Sequence, residues 1–261
     1  MKNIRLTMVQ MQSIAGDSER NLRRIEGFVR DNESDIICFP EMCLSGYSTS
    51  DPSRIALRPD DPHIQMVHGL AKDTGKAIVF GYIEKDEDVM HLRQEFADGS
   101  DECKFYRKSH LGTKEAELFE PGNELPVFDV KGVRVGLHLC TESHVPEICT
   151  TFRKKGAELV LAPFASGISD RRRMVWHSYL PARACDNGMY VAACSMVGDN
   201  GTGTMFGGGL IILNPKGMVI DEYYGDDDHC ISADIGGKLP RDGPETMMNI
   251  SYFDRRRPEL Y

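Results

Sequence analysis

The sequence lacks the features that mark membrane, zinc-binding and nucleic-acid-binding proteins. No apolar run reaches the roughly 20 residues that a membrane span needs, and the first residues, MKNIRLTMVQ, contain no signal-peptide core. The eight cysteines form no CxxC pair and show no zinc-ligand spacing. A net charge of −9 argues against a nucleic-acid surface. These absences favour a cytoplasmic protein with reduced thiols and with neither a membrane nor a nucleic-acid partner.

Two short arginine runs, 171–173 and 255–257, do not reverse this acidic balance. We interpret them as solvated or ion-paired side chains. The chain has 261 residues, of which 41% are hydrophobic, and it can therefore bury a large core. It shows no internal repeat, low-complexity segment or linker. A single domain over residues 1–261 is the simplest prediction.

Strand-like runs alternate with helical patterns, which predicts a mixed α/β sheet protein. Apolar residues recur at helical spacing after Asp17, and a long helical pattern over Arg172–Asn187 ends at Gly188, a suitable C-terminal cap. The glycine-rich residues 198–209 are predicted as a loop. They lack the ending of a phosphate-binding loop and the strand and helix that flank one.

The segment 133–166 is a strand, a sharp turn, a helix and a second strand. The run VRVGLHL ends on Cys140, and Pro146 is suited to the first position of the helix. A cysteine at such a turn lies near the free N–H groups of a helix start, which favour a thiolate and an oxyanion. A buried core thiol is an equally good interpretation of this position alone.

Two charged residues also follow strands directly. Glu41 comes after the apolar run DIICF, and Lys108 ends the run 104–108. Each, taken alone, is more simply a side chain turned to solvent. Strand ends in layered α/β folds collect at one edge, however, and a carboxylate, an ammonium and a thiol suffice for attack on an acyl carbon. Glu41 would take the thiol proton, Cys140 would attack, and Lys108 would stabilise the oxyanion.

These residues lie in motifs that resemble the nitrilase, or carbon–nitrogen hydrolase, superfamily. The motifs are FPEMCLSGY around Glu41, YRKSHL around Lys108 and GLHLCTESHVPE around Cys140, supported by FEPG, ARACDN, NPKG and RRPELY. The resemblance covers nearly the whole chain in order. It implies a four-layer α-β-β-α sandwich, a Glu-Lys-Cys triad, no cofactor, and a homodimer or larger homo-oligomer formed through the helix after the cysteine.

The resemblance also implies a second glutamate near the nucleophile. Glu115 matches that position best by its place before Leu118, and Glu117 is the alternative. The backbone N–H of Thr141 is expected to be a second oxyanion donor. Together these features predict a cysteine hydrolase that uses water to cleave a small linear amide.

Some features leave the substrate open. Members that cleave N-carbamoyl amino acids can carry adjacent arginines three and four residues after the cysteine, where this chain has Ser143 and His144. Carbamoyl amide, nitrile and acyl-transfer chemistry are therefore the alternatives, in addition to a binding scaffold without activity. A papain-like pair of Cys140 with His110, His138 or His144 is a mechanistic rival, but it gives Glu41 and Lys108 no role.

The absence of a metal-ligand motif generates a first prediction. Exhaustive treatment with EDTA should leave the hydrolytic activity unchanged, because thiol, carboxylate and ammonium supply all the groups that the reaction needs. The measurement is ammonia release before and after chelation. Loss of activity that zinc restores would contradict the metal-free mechanism.

Overall fold

The structure of the protein is a computed structural model that describes residues 1–167, 171–238 and 252–260. Tyr261 of the RRPELY motif lies outside these ranges. The described helices are α1 (Ser18–Asp31), α2 (Pro62–Thr74), α3 (Pro146–Lys154) and α4 (Arg172–Asn187). The described strands are β1 (Ile4–Gln10), β2 (Ile36–Cys38), β3 (Ala77–Asp86), β4 (Val89–Ala97), β5 (Lys104–Arg107), β6 (Val127–Val130), β7 (Val133–Leu137), β8 (Leu159–Phe164), β9 (Tyr190–Ser195), β10 (Val197–Asp199), β11 (Met205–Gly207), β12 (Leu210–Leu213), β13 (Val219–Tyr223) and β14 (His229–Ile235).

Most of these strands form two six-stranded mixed sheets. The first sheet has the order β14-β1-β2-β3-β4-β5, and the second has the order β13-β12-β9-β8-β7-β6. The inner strands β1, β2 and β3 run parallel, as do β7, β8 and β9. Antiparallel strands continue each sheet on both sides. The parallel strands therefore lie inside the sheets, where both faces are covered.

Three apolar clusters show how the sheets and helices are layered. One cluster joins the facing sides of the two sheets and includes Leu6, Ile36, Leu137 and Leu161. A second packs α1 and α2 on the first sheet, and a third packs α3 and α4 on the second. The predicted α-β-β-α sandwich is confirmed. Within the described residues, each helix is too short or too polar to cross a lipid bilayer.

The helix ends follow the local sequence. The carboxylate of Asp17 accepts a hydrogen bond from the N–H of Arg20 and so caps α1. Pro62 begins α2, a position that suits proline. Gly188 ends α4 in the left-handed conformation with φ 60°, as the sequence predicted. These caps fix where the chain leaves each helix and enters the next strand.

Two elements differ from the sequence prediction. β7 ends at Leu137, two residues before the predicted end, because a 3-10 turn occupies Cys140–His144 and the chain bends before it. The glycine-rich residues 198–209 are not only a loop, because β10 and β11 pair there as a short antiparallel hairpin. Its glycines hid the strand signal, since glycine is uncommon in strands.

A close contact on β7 generates a prediction about stability. A Cβ added at Gly136 would lie 2.7 Å from the ring of Phe152 on α3, so Gly136→Ala should overpack the layer beneath Cys140. We expect a loss of about 1–3 kcal/mol in the free energy of unfolding, measured by urea denaturation. Gly27→Ala on α1 is the control, because nothing lies within 4 Å of its added Cβ and alanine favours a helix. Equal stability of Gly136→Ala and the wild type would show that Phe152 moves aside freely.

Candidate active site

The ammonium of Lys108 is buried between two carboxylates. Its Nζ lies 2.9 Å from Oε1 of Glu41 and 2.9 Å from Oε2 of Glu115. Lys108 and Glu41 are each 1% exposed, and Glu115 is also buried. Neither Glu41 nor Lys108 is therefore turned to solvent. Glu117, the alternative to Glu115, is exposed, whereas Glu115 is the glutamate that contacts Lys108.

The protonation of this cluster follows from burial and charge. Burial raises the pKa of Glu41; Lys108 opposes this and Glu115 adds to it, which leaves the pKa at about 7. Burial alone would lower the pKa of Lys108, but the negative charges of its neighbours outweigh that effect and hold it above its usual range. Lys108 thus stays an ammonium at neutral pH. Glu41 has the pKa of an efficient general base at that pH.

Cys140 begins the 3-10 turn in a strained backbone conformation. Its φ of 47° lies in the left-handed region, which costs a residue with a Cβ about 1–3 kcal/mol. Met42, which directly follows Glu41, has φ 53°. The Sγ of Cys140 lies 3.4 Å from Oγ of Ser166, the second residue after β8. The two positive-φ residues are thus Cys140 itself and the residue after Glu41, where the chain has left β7 and β2.

The thiol of Cys140 is neutral in the resting site. Burial and the charge of Glu41 raise its pKa to about 11, although Lys108 and the contact with Ser166 oppose the shift. The expectation that N–H groups at the turn favour a thiolate stays a prediction, because the main causes of the raised pKa are burial and the carboxylates. The pKa of the nearby Glu41, about 7, is thus lower than that of the Cys140 thiol.

Glu142 ties the nucleophile turn to the loop that carries Lys108. Its side chain is fully buried, and Oε2 accepts the N–H of Leu139 at 2.7 Å. Its Oε1 accepts the N–H groups of Ser109 and His110 at 2.9 and 3.0 Å and the hydroxyl of Tyr106 at 2.5 Å. A single buried carboxylate thus holds together two segments, one from each sheet.

This positioning role of Glu142 was missed from the sequence. Apart from the nearby N–H of Leu139, its donors lie more than thirty positions earlier in the chain, so no local pattern marks the link between the two segments. Thr141, the expected oxyanion donor, is exposed, and its hydroxyl donates to the carbonyl of His110 at 3.2 Å. Its N–H belongs to the first residues of the 3-10 turn, where N–H groups have no partner within the turn. That location suits the predicted donor role.

The histidines near Cys140 make other contacts. Burial and the charge of Arg183 lower the pKa of His138 to about 3, and its Nδ1 faces Oγ of Ser143 at 3.3 Å. His110 and His144 are exposed, and the ring of His144 packs on Tyr179. The groups that act on the pKa of Cys140 are carboxylates, the ammonium and a hydroxyl, with no histidine among the leading ones. The geometry does not support a papain-like pair.

Three further residues border the site. Tyr47 is half-buried, and burial raises the pKa of its phenol. Glu115, Glu41 and Cys140 add to this shift, and Lys108 opposes it. Ser166 follows a strand end, the same signal that pointed to Glu41 and Cys140, and could have been found by it. Arg172 is 9% exposed, so the interpretation of residues 171–173 as solvated or ion-paired arginines is wrong for this member. It holds for Arg173, which is exposed and paired with Glu222 at 2.7 Å.

No cation site accompanies these groups in the described part of the chain. Over residues 1–167, 171–238 and 252–260, no three His, Cys, Asp or Glu side chains are grouped so as to hold a metal ion.

The sandwich and the cysteine site define this chain as a member of the nitrilase superfamily, as the sequence predicted. Residues 5–236 match the carbon-nitrogen hydrolase family, so the chain belongs to that family. It is therefore an enzyme that cleaves carbon–nitrogen bonds with a cysteine nucleophile. The catalytic roles of the individual residues stay a prediction.

Similar proteins include enzymes that act on amides. A glutamine-dependent NAD(+) synthetase of Thermotoga maritima is 29% identical over 98% of this chain, which spans only 45% of that protein. A 2-oxoglutaramate amidase of Bacillus subtilis is 27% identical, with 98% of both chains covered. A mutant amidase from Nesterenkonia sp. AN1, with the acetamide moiety of fluoroacetamide bound covalently at its active-site cysteine, is 25% identical. The alignment covers 98% of this chain and 95% of that one, with a TM-score of 0.83.

The opposed effects of Glu41 and Lys108 on Cys140 generate a prediction about pH. Glu41→Gln removes a negative charge, which should lower the pKa of Cys140, whereas Lys108→Met removes a positive charge and should raise it. The measurement is the rate of iodoacetamide modification of Cys140 as a function of pH, followed by peptide mass spectrometry. The midpoint of the rate profile should move to lower pH in the first variant and to higher pH in the second.

Glu117→Gln is the matched control, because this exposed glutamate lies on the same loop as Glu115. It should leave the midpoint in place. The exposed Cys103 and Cys185 serve as internal references in each sample. A midpoint that does not move in Glu41→Gln would mean that Glu41 carries no charge beside the sulfur.

Proposed function

We propose that the enzyme hydrolyses small linear amides through a thioester at Cys140, with Glu41 as general base and Lys108 as oxyanion stabiliser. The observation that carries the proposal is the buried Glu41–Lys108–Glu115 cluster beside a neutral thiol. Glutamine, 2-oxoglutaramate and fluoroacetamide, named for the similar proteins, are all short amides. Their shared feature supports an amide as the substrate.

In the first half-reaction, Glu41 takes the proton of Cys140 as the sulfur forms a bond to the amide carbon. The carbonyl oxygen becomes an oxyanion, which Lys108 and the N–H of Thr141 stabilise. The intermediate then collapses, the carbon–nitrogen bond breaks, and the proton held by Glu41 goes to the leaving nitrogen. Ammonia leaves, and the acyl group remains on Cys140 as a thioester.

In the second half-reaction, Glu41 takes a proton from water, and the oxygen of that water attacks the thioester carbon. Collapse of the second oxyanion breaks the carbon–sulfur bond, and the sulfur regains its proton. The products are the carboxylic acid and the free thiol. A Glu41 with a pKa of about 7 can both accept and return the proton at neutral pH.

Glu115 holds Lys108 in place in this scheme. Its Oε2 also accepts the N–H of Gly112 at 2.7 Å, so it fixes the loop on which it lies as well as the ammonium. With two carboxylates at hydrogen-bond distance, Lys108 cannot act as a neutral base. Its charge is available throughout the reaction.

The positions that would hold arginines in a carbamoyl amino acid hydrolase have other roles here. Ser143 is buried against His138, and His144 packs on Tyr179. We therefore rank carbamoyl compounds below simple amides. Nitriles and transfer of the acyl group to an amine are distinguished from amide hydrolysis by the products formed.

We also propose that the protein is cytoplasmic, has one domain per chain and forms a homodimer or a larger homo-oligomer. The eight cysteines are all free, which fits a reducing compartment. Met174 and Val175 are exposed apolar residues on α4, the helix that packs beside α3. Apolar side chains at this position support pairing through that surface.

Turnover of substrate panels tests the proposed function. Primary amides, N-carbamoyl compounds and nitriles are compared for release of ammonia and of the matching acid, with and without an added amine. Amides should give the highest kcat/KM. Lys108→Met should lower that value about a hundred- to a thousand-fold through loss of an oxyanion donor. Glu41→Gln should lose most of its turnover, whereas the control Glu117→Gln should retain the turnover of the wild type. Near-normal turnover in Glu41→Gln would refute the base assignment.

A further inference from the structure

The hydroxyl of Ser166 is the only hydrogen-bond partner that Sγ of Cys140 has among the described residues. The two atoms lie 3.4 Å apart, and either could be the donor. This contact follows from the fold, because Cys140 and Ser166 closely follow the parallel strands β7 and β8, which end at the same edge of the second sheet. Ser166 therefore touches the atom that would attack the substrate.

A hydroxyl can bind a sulfur in both of the sulfur's protonation states. The buried thiols of Cys38 and Cys194 contact the main-chain carbonyls of Phe39 and Cys38, which can only accept a hydrogen bond. Those contacts suit a protonated thiol and oppose a thiolate. The hydroxyl of Ser166 can accept from an S–H group or, after rotation about its C–O bond, donate its own proton to a negative sulfur.

The main chain of Ser166 is fixed from two sides. Its carbonyl accepts the N–H of Gly207 on β11 at 3.2 Å and Nη2 of the buried Arg172 at 3.1 Å. The same nitrogen of Arg172 also donates to the carbonyl of Gly167. Within the part of the chain that the structure describes, Oγ of Ser166 has no second partner. The main chain therefore positions this hydroxyl and leaves it available to the sulfur.

Lys108 cannot also donate to the sulfur while it stabilises the oxyanion. An ammonium has three N–H bonds. Two of those on Lys108 are engaged by Glu41 and Glu115, which leaves one for the carbonyl oxygen of the substrate. A sulfur that loses its proton near two carboxylates needs a donor of its own. Consistent with that need, the contact with Ser166 opposes the rise in the pKa of Cys140 that burial and the carboxylates cause.

Resting on the proposed thioester mechanism, we propose that Ser166 is a catalytic residue that donates a hydrogen bond to the sulfur of Cys140 whenever that atom becomes negative. As Glu41 takes the thiol proton and the carbon–sulfur bond forms, the hydroxyl stabilises the charge on the sulfur. When the thioester breaks, the electron pair of the carbon–sulfur bond returns to the sulfur, and the hydroxyl stabilises it until Glu41 returns the proton. Ser166 keeps its own proton throughout.

The rate of Cys140 alkylation by iodoacetamide as a function of pH tests the contact without any substrate. Ser166→Ala should move the midpoint of the rate profile to higher pH, because the thiolate loses a hydrogen-bond donor. Ser166→Thr keeps a hydroxyl at this position and should restore the midpoint of the wild type. An unchanged midpoint in Ser166→Ala would overturn the inference.

Turnover of a primary amide such as butyramide gives a second measurement. Ser166→Ala should lower kcat/KM by about ten- to a hundred-fold, the range expected for loss of a hydrogen bond to a charged group. The loss should lie in kcat, because the hydroxyl acts on the sulfur and not on the bound amide. A loss confined to KM would assign Ser166 to substrate binding and would overturn the catalytic role.

Ser143→Ala is the matched control. Ser143 is buried on the same 3-10 turn as Cys140, but its hydroxyl faces Nδ1 of His138 at 3.3 Å instead of the sulfur. This variant should keep the midpoint and the kcat of the wild type. If Ser166→Ala moves the midpoint but the wild type hydrolyses no amide, the proposed function fails while the hydrogen bond to the sulfur stands. If Ser166→Ala has the midpoint and kcat of an active wild type, the inference fails and the amidase proposal stands.

Discussion

The ammonium of Lys108, held between the carboxylates of Glu41 and Glu115, is the interaction on which the site depends. Three ionisable side chains share a volume from which water is almost excluded, and each is tolerable there only because of the other two. The same arrangement sets the chemistry: it keeps the lysine charged, brings the pKa of Glu41 to about 7, and leaves the thiol of Cys140 protonated. In the resting protein the proton therefore lies on the sulfur of Cys140, and Glu41 is close enough to influence the pKa of that thiol.

The two sheets contribute different parts of this arrangement. Glu41 and Lys108 follow β2 and β5 of the first sheet, whereas Cys140 follows β7 of the second. The apolar layer between the sheets sets their separation, and Glu142 fixes the two loops against each other with hydrogen bonds from both. The relative positions of Glu41, Lys108 and Cys140 therefore depend on the packing of the two sheets against each other, and not on either sheet alone.

The residues at the strand ends could be predicted from the sequence, but the side-chain contacts that connect those strand ends could not. Hydrophobic periodicity and caps predicted the helices and most strands, and the motifs around Glu41, Lys108 and Cys140 predicted the superfamily. The role of Glu142 was not predicted, because most of its contacts are with a segment distant in the chain. The burial of Arg172 was not predicted either, because a run of arginines does not reveal it. The left-handed backbone conformation of Cys140 was not predicted either, since tertiary contacts impose it against the preference of a residue with a Cβ for negative φ.

The hydrogen bonds of Glu142 also have a consequence for how such enzymes diverge. Replacing Glu142 leaves the backbone N–H groups of Ser109, His110 and Leu139 without their acceptor at the same time. No single second substitution could restore all three hydrogen bonds. Gene duplicates of this enzyme should therefore keep a glutamate at position 142 even when other parts of the site change. New substrates would then be acquired through residues that Glu142 does not contact, while the two loops that it joins stay in register.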